Sequence, residues 1–275
     1  MLSCTANTDD SIFIASITNN GSFFFISCPF LTNTEDKDPC KGAPICFASD
    51  LSAFAYITLS TLIEEQIQLQ QTDQLIFLGD LINRGKDSKK VLDYLMQLEL
   101  EYEVYCIKGN HEHNLLTAYD CGMDFFDEFL HEYNSDDLMA GDLPAYLDFC
   151  ARMPYYIETP THIFSHMGFS PRVPRPITDT RAYFHRQSLS ISTTSIQNKI
   201  QIQGHVAMPL SKISQAVEDQ VSTLNIDAGC YYKTIDGLGY LCALDVKDNL
   251  LYVQKNIEKA PPIAAHQSDL LSNNL

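Results

Sequence analysis

QLIFLGDLINRGKDSKKVLDYLMQLELEYEVYCIKGNHE, residues 74–112, decides how this chain is read. Gln74–Leu78 is a short continuous apolar run that stops at Gly79-Asp80. Ser88–Leu100 then carries Val91, Leu92, Tyr94, Leu95 and Leu98 at helical spacing, and Glu103–Ile107 is a second strand ending at Gly109-Asn110. Strand, loop, helix and strand in this order predict an α/β sheet covered by helices. The polar residues fall just past the carboxyl ends of the strands, where such sheets keep their chemistry.

The same alternation extends upstream. Ile45–Ala48 reads as a strand ending at Asp50, and residues 53–68 as a helix with Ala55, Leu59, Leu62 and Ile63 on one face. Before it, Ser11–Ile17 and Ser22–Cys28 flank Asn19-Asn20-Gly21 as a β-hairpin, so residues 1–44 form a hairpin-like extension. Downstream, residues 113–152 have a helical pattern rich in acids and aromatics and read as a small cap. Pro171–Arg186 reads as loop. The remainder is strand-like, at Lys199–Gln203, Thr223–Ile226, Tyr240–Leu244 and Leu250–Gln254. The main domain is expected over 45–258, with 259–275 a flexible tail.

The chain has 275 residues, with 18 Lys and Arg against 35 Asp and Glu, for a formal net charge of -17. That balance argues against a protein that grips nucleic acid through its phosphates or adsorbs to an anionic membrane. A local phosphate site survives it, because a few arginines and bound cations reverse the field where they stand. The nine cysteines show no C-x-x-C spacing and read as reduced, small buried residues. With no apolar run of spanning length and no basic flank before the first apolar stretch, a cytoplasmic location is expected, with secretion by a route that uses no signal peptide left open.

Five segments place metal-ligand residue types at strand ends. They are Ser49-Asp50-Leu51-Ser52, Gly79-Asp80 through Asn83-Arg84-Gly85, Gly109-Asn110-His111-Glu112, Ser165-His166-Met167-Gly168 and Gly204-His205. Carboxylate, amide oxygen and imidazole together suit Mn, Fe or Zn rather than a calcium cage or a thiolate site. Each residue has a plainer reading when taken alone. Asp50 can be a helix N-cap, Asn110 the start of an Asx-turn, and His166 and His205 core histidines. Glu112 reads as a first-turn helix carboxylate or a backbone anchor rather than a catalytic group. His113 is two residues from His111, so it cannot share a face with it.

In order and spacing, GDLINRG, IKGNHE and the two later histidines resemble the calcineurin-like metallophosphoesterases. More narrowly they resemble the serine/threonine phosphoprotein phosphatase group, whose bacterial members include protein phosphatases and diadenosine tetraphosphatases. The resemblance runs from about Ile45 to Leu244. It implies an α/β fold of the metallophosphoesterase type, a β-sandwich flanked by helices in α-β-β-α layers with a small helical cap. It implies one or two divalent metal ions per chain, Mn first and Fe or Zn as alternatives. One metal would take Asp80, Asn110, His166 and His205, and the other Asp50 and the bridging Asp80. His111 would be the proton donor and Arg84 the phosphate-binding arginine. Arg186, chosen over Arg172, Arg175 and Arg181, would be a second phosphate arginine.

Two positions depart from the family pattern. Ser52 stands where the family has a histidine ligand, and a hydroxyl is a far weaker one. Asn83 stands where the family has the aspartate that pairs with the histidine of G-N-H-E. Asn83 can accept a hydrogen bond through its amide oxygen but cannot stabilise an imidazolium. The resemblance thus implies a metal-dependent phosphoesterase acting on a phosphate monoester by attack of a metal-bound hydroxide. The implied partner is a phosphoprotein carrying phosphoserine or phosphothreonine, or a small phosphorylated substrate. The alternatives are a diadenosine-tetraphosphatase-like hydrolase, or a weakened pseudophosphatase that serves as a binding or scaffold protein.

Overall fold

The structure is a computed structural model that describes residues 44–48, 55–168 and 199–258, together with the strand pairing of 13–17 and 23–27. Asp50, Ser52 and Arg186, like the Pro171–Arg186 loop and the tail, lie outside the described residues. The hairpin is present: β1 (Phe13–Ile17) pairs antiparallel with β2 (Phe23–Ser27).

Two sheets carry the rest. β3 (Pro44–Phe47), β4 (Gln74–Phe77) and β5 (Glu103–Cys106) run parallel, and β10 (Tyr240–Asp245) and β11 (Leu250–Lys255) extend the β3 edge antiparallel, giving the order β11-β10-β3-β4-β5. The second sheet has the order β6-β7-β8-β9, from β6 (Tyr156–Glu158), β7 (His162–Ser165), β8 (Ile200–Gln203) and β9 (Thr223–Asn225). One apolar core draws on both sheets, with Phe47, Phe77 and Leu241 from the first and Phe164, Ile202 and Leu224 from the second. Phe47 and Phe77 are register partners on neighbouring strands, and their rings stack at 4.6 Å and 17°. Such a pair adds roughly 0.5–1.5 kcal/mol beyond the burial of its area.

Helices cover the sheets. The expected helix over 53–68 is α1 (Tyr56–Thr61) followed directly by a π-helical turn, Leu62–Ile67. There the Gln68 N–H reaches the Ile63 carbonyl at 2.9 Å, and Gln68 closes the turn in the left-handed region at φ 56°. α2 (Ser88–Glu101) buries Val91, Leu92, Leu95 and Leu98, the stripe read from the sequence. The cap region comprises α3 (Asn110–Asp120), α4 (Met123–Glu132), a 3-10 turn (Asp136–Ala140) and α5 (Leu143–Arg152).

Four details differ from expectation. α3 starts at Asn110, so the site motif is itself the first turn of the cap. β6 (Tyr156–Glu158) falls in a stretch for which no strand was expected. α6 (Leu210–Glu218) interrupts the strand-rich second half, and its buried stripe is only Ile213 and Val217, too narrow to stand out. Of the described cysteines, Cys46, Cys106, Cys150, Cys230 and Cys242 are buried, whereas Cys121 is exposed. Among the described residues no helix is long and apolar enough to cross a membrane.

Candidate metal centre and its supporting network

The parallel strands β4 and β5 deliver their loops to one edge of the first sheet. The loops after β4 and β5 cross glycine against glycine. A Cβ on Gly79 would stand 2.6 Å from Gly109 N and 2.7 Å from the Ile107 carbonyl oxygen, so no side chain fits between them. Gly79 itself sits at φ 89°. The strain continues into the polar residues: Asp80 (φ 54°), Asn83 (73°), Arg84 (59°) and His205 (68°) all occupy the left-handed region without being glycine. Such conformations cost of order 1–3 kcal/mol each and persist only where their surroundings hold them.

Glu112 is one of the holders. Its buried carboxylate accepts from Asp80 N (3.0 Å), Leu81 N (2.7 Å) and Gly109 N (2.8 Å), which clamps the two loops together. Burial, then the charge of Asp80, push its carboxyl above the usual range, against the backbone donors. Asp80 in turn accepts from His111 N at 3.2 Å, at the amino end of α3, where a negative charge is favoured.

Asp80, His166 and His205 meet with ligand atoms all within 4.8 Å of one another. His166 Nε2 lies 3.2 Å from Asp80 Oδ1, 3.0 Å from Asn110 Oδ1 and 3.1 Å from His205 Nδ1. Its other nitrogen, Nδ1, donates to the Leu78 carbonyl at 2.7 Å. That bond fixes the ring and leaves the Nε2 lone pair facing Asp80, the second-sphere arrangement typical of metal-ligating histidines. Burial disfavours charge on Asp80, but His111 and His166 outweigh it and hold the carboxyl well below the ordinary carboxylate range. A carboxylate, an amide oxygen and two imidazoles converging this closely fit a divalent cation.

His205 is held by its own loop. Gly204 N donates to the His166 carbonyl (2.9 Å), and Asn225 Nδ2 donates to the Val206 carbonyl (2.8 Å). Asp227, buried, accepts from Gly229 N at 2.8 Å. The GH and NIDAG segments are thus one structural unit.

His111 and Arg84 flank the cluster. His111 Nε2 is 3.8 Å from Asp80 Oδ2. Arg84 places its guanidinium carbon 5.9 Å from the centre of the Tyr231 ring, and its backbone N–H donates to the Tyr133 carbonyl at 2.9 Å. His113 turns the other way, its Nδ1 3.3 Å from Tyr155 Oη. Asn83 does not accept from His111 as the sequence suggested. Its Oδ1 accepts from Ser135 Oγ (2.8 Å), so Nδ2 faces His111 Nδ1 at 2.9 Å. Ser135 and Ser88, which complete this network, were invisible to motif reading. Ser135 comes from the cap, 52 positions from Asn83, and carries no pattern of its own. The structure thus brings together Asp80, Asn110, His111, His166 and His205, while Asp50 and Arg186 lie outside the described residues.

Comparison with known proteins accords with this geometry. A symmetrical bis(5'-nucleosyl)-tetraphosphatase of Buchnera aphidicola (strain Sg) is 32% identical over 133 residues, covering 46% of this chain and 45% of that protein. The serine/threonine-protein phosphatase 2B catalytic subunit A2 of Saccharomyces cerevisiae is 38% identical over 96 residues, covering 34% of this chain and 15% of that protein. The matches thus span less than half the length of these curated relatives. Among solved structures, one ascribed to a diadenosine tetraphosphatase aligns with a TM-score of 0.55 at 18% identity, over 78% of this chain and 93% of that one. A serine/threonine phosphatase from Saccharomyces cerevisiae aligns at 0.53 and 11%, over 81% and 82%. Identities that low speak to the fold alone. The family model for calcineurin-like phosphoesterases matches residues 43–224, most of the chain and every described site loop up to the NIDAG segment, so this chain belongs to the calcineurin-like phosphoesterase family.

Proposed function

We propose that the protein hydrolyses phosphate monoesters with the help of a divalent cation held by Asp80, Asn110, His166 and His205, with Mn the metal of choice. The observation that carries this reading is the convergence of those four side chains from separate strand ends. His166 is locked by Leu78 in the ligating tautomer. A cation bound there supplies positive charge that polarises a phosphoryl group and acidifies water.

The chain's own residues do the rest. Arg84 offers a planar guanidinium fork to the phosphoryl oxygens. Tyr231 beneath it restricts its swing. His111 faces the leaving oxygen and offers it a proton from Nε2. Glu112 keeps the loops of Asp80 and Asn110 at a fixed separation, so the groups need no rearrangement when charge develops. As water's oxygen bonds to phosphorus, the ester bond breaks and the leaving oxygen takes up a proton.

For substrate, phosphoserine or phosphothreonine of a protein is the first reading. Dinucleoside tetraphosphate is the second, supported by the tetraphosphatase relatives, which match over the larger share of this chain. Arg186 as a second phosphate arginine and Asp50 as a ligand to a further metal belong to the same proposal. The test is turnover of a phosphoserine peptide, p-nitrophenyl phosphate and diadenosine tetraphosphate with added Mn, with bound metal counted in parallel. Faster turnover of the peptide than of the dinucleotide supports the first reading, and the reverse order the second. Metal bound at one per chain with no turnover of any of the three would leave the binding or scaffold role in place of the enzyme.

A further inference from the structure

Behind His111 lies a chain of buried polar groups. Asn83 N–H donates to Ser88 Oγ at 3.1 Å, and Ser88 Oγ is 2.8 Å from Ser135 Oγ. Ser135 Oγ is 2.8 Å from Asn83 Oδ1, and Asn83 Nδ2 is 2.9 Å from His111 Nδ1. Ser88 and Ser135 are 0% exposed and Asn83 1%, so water is not available to complete their bonds.

An amide can be turned over with almost no change in shape, so its orientation has to follow from donor and acceptor accounting. Ser88 decides it. Its oxygen already accepts from the Asn83 N–H, and among the described residues its single hydrogen has Ser135 Oγ as its acceptor. Ser135, having accepted, directs its own hydrogen to the Asn83 side chain, which must therefore present oxygen. The amide NH2 is left facing His111, and Nδ1 of the ring must accept. Turning the amide over reverses the three side-chain bonds, while the Asn83 backbone N–H still donates to Ser88 Oγ. It leaves the Ser88 hydroxyl hydrogen without an acceptor in a place closed to water, which carries the full desolvation cost of that group.

We propose that Ser88, Ser135 and Asn83 are positioning residues that hold the neutral His111 ring with its proton on Nε2, turned toward Asp80 and the substrate. A carboxylate at position 83 could only accept. It would draw the ring proton to Nδ1 and leave Nε2 of the neutral ring bare. The asparagine is thus a different device from an aspartate rather than a damaged one. It presents an N–H to the site without the ring first becoming charged. In hydrolysis that N–H passes its proton to the departing ester oxygen as the ester bond breaks, and a proton from the attacking water returns the ring to its neutral form. This last consequence rests on the function proposed above; the direction of the hydrogen bonds does not.

The test is nitrogen NMR of the full chain with 15N-labelled histidine, saturated with Mg2+, at a pH above the imidazole range so that the rings are neutral. The His111 signals are identified by their loss in His111→Asn. In the parent protein Nε2 is expected to show the protonated shift and Nδ1 the bare one. Asn83→Asp should exchange the two. Ser135→Ala should blur the preference into a mixture, and Ser135→Thr, which restores a hydroxyl, should recover it. A parent protein with the proton on Nδ1, or a Ser135→Ala spectrum identical to the parent's, would overturn the inference. If Ser135→Ala does not fold, the parent and Asn83→Asp spectra still decide it. The expected tautomer in a protein that turns over no phosphoester would remove the proposed function and leave this inference standing.

Discussion

Replacing Glu112 by Gln is the sharpest test of how the centre is held open at the right distance. One carboxylate oxygen accepts from Asp80 N (3.0 Å) and Gly109 N (2.8 Å), and the other from Leu81 N (2.7 Å). Gln keeps the volume but only one acceptor. The better orientation turns its oxygen to Asp80 and Gly109, which sets its NH2 against the Leu81 N–H. One buried backbone donor then loses its partner and meets another donor, at a cost of about 1–3 kcal/mol. Ala strips all three donors at once. Simple addition would exceed what single substitutions show, because the loops relax and water enters, so about 3–5 kcal/mol is the reasoned figure. Against a total stability of about 5–15 kcal/mol, the Gln variant stays folded and the Ala variant becomes marginal. Urea unfolding reads this directly: with a slope of about 1–3 kcal/mol per molar, Gln should lower the midpoint by roughly 1 M. Metal affinity should weaken in the same variant, because Asp80 and Asn110 sit on the two loops that the carboxylate joins. A Gln variant with an unchanged midpoint and unchanged metal affinity would refute the clamp.

Three further outcomes are expected. Metal should raise the melting temperature of the parent, by the equivalent of about 2.7 kcal/mol at a hundred times its dissociation constant. His166→Ala and Asp80→Asn should abolish that response, and a shift that survives both would place the metal elsewhere. The protein should hold one tight metal per chain, and Ser52→His should add a second by supplying the imidazole, as counted by calorimetric titration. Two equally tight metals in the parent would show that another residue fills the place. His111→Asn should slow hydrolysis of a phosphoserine peptide by about 10²-fold or more, the range of acid–base assistance, and hydrolysis of p-nitrophenyl phosphate far less, because nitrophenolate leaves without help. Equal losses on the two substrates would mean that His111 acts on something other than the leaving oxygen.

How much of this was legible beforehand follows from the range over which each feature is encoded. The parallel strands β4 and β5, the helix between them and the loops beyond them are local. Apolar run length, helical spacing and the glycines at 79 and 109 report them without knowledge of the rest of the chain. The residues that could bind a metal were legible for a related reason, since Asp80 and Asn110 stand just past strands of the first sheet and His166 and His205 just past strands of the second, and strand ends are where such sheets keep their chemistry. Where local signal is thin, reading faltered. The two-residue stripe of α6 and the three-residue β6 fall below the length at which a period can be counted.

The metal-site candidates, the family's motif order and the α/β layering were therefore determined by the sequence itself. What only the tertiary structure decided is the state of the groups. Asn83 in isolation offers an oxygen and an NH2 equally. It is Ser135, carried in by the cap, together with Ser88 at the start of α2, that sets which of them meets His111. Likewise His166 can ligate through Nε2 because its one ring proton stands on Nδ1, donated to the Leu78 carbonyl. Residue type sets the menu of hydrogen bonds. The choice among them is made by distant partners in a space without water, where every donor must find an acceptor.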